Sequence, residues 1–310
     1  MAGCEVSSRW VSARPAGRVG GGDWGFNLIE VESRSPGPCT AFVTGVYGDK
    51  PLGSVVLFRL LEILRQAPLT GSVLMIPAAN LPAIEAGTRI SPDLLLMNRC
   101  FPGTADGTVT GQLAYHVLKA VRDHTDCIVD VHSGMPSVAV WYTYEYGDVA
   151  LASAFGLPVV SGHAKEGQLS WAAARTGARS ILPEFSGGPL TDPTPGVTGC
   201  LNVLRLQGQL PSPLDGPPAV PVIDRLQTYF PSTGGILCSS LTPADLGKPV
   251  AQGRIAWVID PNDGRVVDQF VVEEPGAILL LSTITPLPAR AGDMACMVGF
   301  PNREVQLGGA

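Results

Sequence analysis

At 310 residues the chain is long enough for a large core and, at roughly 100–200 residues per domain, for about two domains. Charged residues make up only 15% and the formal net charge is -6, so the basic surface that nucleic-acid binding draws on is missing and nucleic acid is not expected as a partner. Neither a run of 18 apolar residues nor a basic-then-apolar leader pattern occurs, so the expectation is a cytoplasmic protein with no membrane segment.

Near the N-terminus, "GRVGGGDWG" (17–25) lacks the preceding strand that a phosphate-binding glycine loop requires and reads as a turn. From Cys39 to about Glu184, short β-branched runs alternate with helical patterns, as in a sheet covered by helices on both faces. The expected fold class is therefore α/β, with a mixed, mostly parallel sheet. The expected strands are "TAFVTGV" (40–46), "SVLMIPA" (72–78), "CIVDV" (127–131), "SVAVWYTY" (137–144) and "RSILP" (179–183). Between them, 54–67 is apolar on nearly all sides and predicts a buried helix stopped by Pro68. The helix over 111–124 is amphipathic, with Leu113, Val117, Ala120 and Val121 on one side and His116 opposite, so His116 and His124 read as solvent-side or helix-end residues.

A last helix (196–210) precedes the proline-rich stretch 211–221, which reads as a linker or extended crossover. Short strand-like runs follow, among them "GILCSSL", "GRIAWVI", "RVVDQFVV" and "AILLLSTI", with turn signals between them. The expected organisation is an α/β catalytic domain over 1–210, then a linker and small all-β domain over 211–310. The seven cysteines are scattered and never spaced CxxC, which suggests neither a disulfide framework nor a cysteine zinc site. Only four histidines are available to any metal.

Ligands of open α/β sheets bind beyond the carboxyl ends of the strands. There the chain offers Tyr47, Asp49 and Lys50, then His132, then Glu184, with Asn98 and Arg99 in "MNRCFPG" as a fourth polar segment. A guanidinium fork suits a carboxylate, so an amine- or carboxylate-bearing small molecule is the expected partner; the bland alternative for Arg99 is an ion pair with Asp93 or Asp130. Cys100 has no histidine near it in sequence and reads as packing. There is no G-x-S-x-G elbow, which removes the commonest serine-hydrolase reading.

In order, "GVYGDK", "NRCFPG", "DVHSG" and "EFSGG" resemble the motifs of the succinylglutamate desuccinylase and aspartoacylase family, zinc-dependent amide hydrolases of the metallocarboxypeptidase type. The resemblance covers most of the chain and implies a zinc-carboxypeptidase-like fold with a small C-terminal β domain. It makes His132 the third zinc ligand, Glu184 the acid/base, and Asn98 with Arg99 the pair that holds a substrate carboxylate. The first and second ligand positions fall on Tyr47 and Lys50. A phenol is a rare zinc ligand and an ammonium has no lone pair to give, so zinc is not expected and no other cofactor is implied. Asp49, His132 and His163 form the one alternative donor set.

Three functions follow. The first, favoured here, is a metal-free enzyme in which Glu184, His132, Tyr47 and Lys50 do acid/base work while Asn98, Arg99 and Asp49 bind an amino-acid-like substrate. Its chemistry would be an amine–carbonyl condensation or cyclisation of the Pictet–Spengler kind, as in specialised metabolism. The second is an amide hydrolase or deacylase with an altered metal site, and the third a non-catalytic binding protein. Composition leaves a homo-oligomer open.

Overall fold

The computed structural model describes residues 4–14 and 17–307. Two N-terminal strands, β1 (Glu5–Arg14) and β2 (Trp24–Glu32), form an antiparallel hairpin, and the glycine-rich 17–25 stretch runs from its connection into the first two residues of β2. Next come β3 (Cys39–Val43), α1 (Leu52–Leu64), β4 (Ser72–Ile76), α2 (Leu81–Ala86) and α3 (Val109–Arg122). The middle of the chain holds β5 (Cys127–Asp130), β6 (His132–Ser133), β7 (Val138–Glu145), α4 (Val149–Ala154) and β8 (Val159–Val160). It continues through α5 (Leu169–Ala174), β9 (Arg179–Ser186) and α6 (Thr194–Leu206). The last third is all strand apart from one 3-10 turn: β10 (Ala219–Tyr229), β11 (Gly235–Ser239), β12 (Gly253–Ile259), β13 (Val266–Val272), β14 (Ile278–Thr283), β15 (Leu287–Ala289) and β16 (Cys296–Gln306). Among the described residues no helix is long and apolar enough to cross a membrane.

The parallel block β4-β3-β5-β9 is the centre of the fold. Its first three strands are buried almost throughout, as expected of strands covered on both faces. Alternation along β3 divides the core: Phe42 joins α1, α4 and α6 on one face, while Ala41 and Val43 join α3 and α5 on the other. Helix starts are fixed by side chains. Thr108 accepts from the Gly111 N–H, and the Asp93 carboxylate accepts from the Thr110 N–H.

Three expectations need correction. The large sheet is mixed rather than mostly parallel: β1, β2, β7, β14 and β16 all enter it antiparallel. β7, β14, β16, β10 and β8 pair in sequence, and β8 pairs back to β7, closing a five-strand ring on the flank of the open sheet. Val140, Val160, Ile223, Leu280 and Met297, one from each strand of the ring, gather in a single buried cluster. Strands from 211–310 thus have two destinations: β10, β14 and β16 complete the ring, and β11, β12, β13 and β15 form a separate four-stranded sheet. Finally, α1 is not buried all round, since Val55, Phe58 and Ile63 form an exposed apolar side.

Candidate active site

The Tyr47–Lys50 turn is set by its glycines. Gly45 has φ +71, and a Cβ on Gly48 would lie 2.0 Å from the Ala83 carbonyl oxygen, so the turn rests directly on α2. This close approach leaves Tyr47 and Lys50 buried, each under a tenth exposed.

Strand register then assembles the centre. His132 on β6 is the partner of Glu184 on β9, and Glu184 is the partner of Tyr142 on β7, so the three lie in one transverse row. Glu184 lies inside β9 rather than in the loop after it, because antiparallel pairing with β7 carries the strand on to Ser186. Lys50 Nζ donates to Glu184 Oε2 at 3.0 Å and to Oε1 at 3.4 Å, with the two side chains 8% and 13% exposed. An ion pair so withdrawn from water is strongly coupled.

The pair opens into a cavity of about 500 Å³. Tyr47, Lys50, Asn98, Arg99 and Glu184 all face it, so five of the seven expected site residues are brought together. The other two stand back from it. His132 lies behind the wall: its Nε2 donates to Asp130 Oδ1 at 2.8 Å, its Nδ1 is 3.9 Å from Glu184 Oε1, and its ring meets the Tyr47 ring edge-on. A carboxylate only accepts, so Nε2 carries the donated proton and Nδ1 is the ring nitrogen turned toward Glu184. Asp49 faces Arg89, 4.0 Å away, and not the cavity, because the tight turn sends it to the opposite side from Lys50.

Arg99 makes no ion pair among the described residues, and both carboxylates proposed for it are engaged elsewhere, Asp93 with Thr110 and Asp130 with His132. Its Nη1 donates to the Asn98 backbone carbonyl, and the guanidinium also lines the cavity. The side-chain oxygen of Asn98 is buried without a hydrogen-bond partner among the described residues, an acceptor suited to a ligand N–H. Burial pushes the Tyr47 phenol up, against the opposing pull of Arg89 and Arg99, so it remains a donor at neutral pH. Burial raises Tyr142 and Tyr144 in the same sense.

The sequence reading missed Arg89, stacked 4.2 Å over the Tyr47 ring, and the wall built by β7. Arg89 sits in a loop without any signal. The wall was legible, because Val138, Val140, Tyr142 and Tyr144 follow the two-residue period of a strand and all face the cavity.

A zinc centre of the hydrolytic kind takes three protein ligands. Here Tyr47 and Lys50 stand at two of the positions that the motif order assigns to ligands, and Lys50 presents an ammonium to Glu184. Among the described residues no group of three or more His, Cys, Asp or Glu is placed to hold a metal ion, so Asp49, His132 and His163 form no such set. The residues present do not fit the metal.

Residues 36–194 match the family model for the succinylglutamate desuccinylase/aspartoacylase catalytic domain. The chain belongs to the succinylglutamate desuccinylase/aspartoacylase family. Within or beside that family, an N-alpha-acetyl-L-2,4-diaminobutyric acid deacetylase from Halomonas elongata is 32% identical over 306 residues, covering 89% of this chain and 86% of the relative. The desuccinylase/aspartoacylase fold is seen in solved structures as well. A succinylglutamate desuccinylase from a Silicibacter species superposes with a TM-score of 0.83 at 25% identity, over 96% of this chain and 95% of that one. The product-bound ectoine utilization protein EutE (DoeB) from Ruegeria pomeroyi gives 0.82 at 25% identity, over 95% of both chains.

Proposed function

We propose that this member of the family is a deacylase that cleaves the amide of an N-acylated, amino-acid-like substrate, with Lys50 and Glu184 as its central pair. The observation that carries the reading is the buried Lys50–Glu184 contact facing the cavity, beside Arg99, which makes no ion pair among the described residues. The relatives are named as deacetylases and desuccinylases. The condensation and cyclisation expectation has no counterpart among them, and the hydrolytic alternative replaces it.

Arg99 takes the substrate carboxylate in a bidentate grip, and Asn98 accepts from an N–H of the same half. This places the acyl carbonyl at the Lys50–Glu184 pair. Glu184 withdraws a proton from water as its oxygen attacks the carbonyl carbon, and the negative charge that develops on the carbonyl oxygen meets the Lys50 ammonium and the Tyr47 hydroxyl. As the C–N bond breaks, protonated Glu184 returns the proton to the departing nitrogen, giving a carboxylic acid and a free amine. His132, held by Asp130, buttresses Glu184 and Tyr47 from behind.

Steady-state hydrolysis of N-acyl amino acids tests the assignment. Glu184→Gln is expected to lower kcat by at least 100-fold, and Arg99→Ala to act mainly on KM. Full activity in both variants would remove the proposed site. Ligand-induced stabilisation of the wild type without turnover would favour a binding protein instead.

A further inference from the structure

We infer that the acyl group removed by this enzyme is large and apolar, and that the strand ring is its binding surface. The inference rests on the deacylase reading above and goes on to specify the substrate.

β7 acts as a ruler along the cavity. Tyr142, level with Glu184, marks the reacting carbonyl. The chain carrying Arg99 lies toward the Tyr144 end: the Phe101 N–H donates to the Gly167 carbonyl, and the neighbouring Gln168 accepts from the Tyr146 hydroxyl at 2.6 Å. A substrate carboxylate on Arg99 therefore points one way from Glu184. Everything beyond the carbonyl points the other, toward Val140 and Val138.

On that side the register builds a strip of three apolar residues ending in a threonine. Val140 on β7 is the partner of Leu281 on β14, Leu281 of Met297 on β16, and Met297 of Thr228 on β10, and all four face the cavity. At the usual spacing between strands the row runs about 14 Å. No charged residue stands in it. Arg89, whose Nη1 lies against the sulfur of Met135, is already stacked on Tyr47 and 4.0 Å from Asp49. An acetyl group would leave most of the strip uncovered, and a succinyl group would put its terminal carboxylate against it. An alkanoyl or aromatic acyl chain would cover it with apolar surface, the favourable exchange with water.

The test is a binding series on the wild-type protein by calorimetry, using the N-acetyl, N-hexanoyl and N-succinyl derivatives of glycine and of the α-amine of L-2,4-diaminobutyrate. The hexanoyl compounds are expected to bind roughly tenfold or more tighter than both others. The near-isosteric variants Val140→Thr and Met297→Gln, compared with the wild type at matched folded fraction by urea unfolding, are expected to shrink that ratio. Acetyl or succinyl compounds binding as tightly as hexanoyl, or a ratio unmoved by both variants, would overturn the apolar acyl site while leaving the deacylase reading standing. Failure of every derivative to bind would overturn both.

Discussion

Lys50 and Glu184 stabilise each other in a setting that neither would tolerate alone. The desolvation of a buried charge is offset only while its partner is present. Glu184→Gln is thus expected to destabilise the fold by about 3 kcal/mol by stranding the Lys50 ammonium, whereas Lys50→Met combined with Glu184→Gln regains most of that loss. Urea unfolding of the two single variants and the double variant measures the coupling, and additive losses would show that the pair is not a unit. Tyr47 contributes differently. Its raised phenol keeps its proton, so Tyr47→Phe is expected to remove a hydrogen-bond donor and slow turnover by about 100-fold with little effect on stability. A kcat within a few-fold of wild type would take Tyr47 out of the reaction.

The loops and strands that carry these residues differ in how far they could be read in advance. "NRCFPG" and "EFSGG" come together at one cavity with "DVHSG" behind its wall, and the buried strands β3, β4 and β5 follow from their β-branched runs. Chain-end strands were harder. β1 is exposed along most of its length, so its sequence lacks a sustained apolar signal. "AILLLSTI" looks like the other C-terminal strands, yet β14 enters the ring; pairing partners far apart in sequence leave no local trace. For the same reason Asp49 could not be separated from Lys50 by spacing, since the turn's direction depends on Gly48 resting on α2. Gly48→Ala is expected to push that turn out, costing about 2 kcal/mol and most of the activity. Wild-type stability and turnover in Gly48→Ala would mean that the turn moves freely.

At the scale of the whole molecule, one mixed sheet supplies both halves of the site: the parallel block brings the polar centre, and the ring brings the apolar wall. The same dense burial makes the fold sensitive to alkali. Burial pushes the Cys127 and Cys296 thiols up to about 12 and raises the Tyr142 and Tyr144 phenols. Each is neutral in the fold and ionises near its ordinary value of about 8.5 (thiol) or 10 (phenol) when unfolded. Their stabilising contribution is complete below those values and is lost as pH rises toward the folded ones. The urea midpoint is expected to fall steadily between about pH 9 and pH 12; a flat midpoint over that window would contradict these shifts. In the proposed reaction the protein's own ammonium and carboxylate perform the amide cleavage. Its most direct test is hydrolysis of the best-bound N-acyl amino acid by protein treated with chelator, alongside Lys50→Met. Turnover is expected to survive chelation and to fall at least 100-fold in Lys50→Met; turnover abolished by chelation, restored by zinc and indifferent to Lys50 would contradict that reaction.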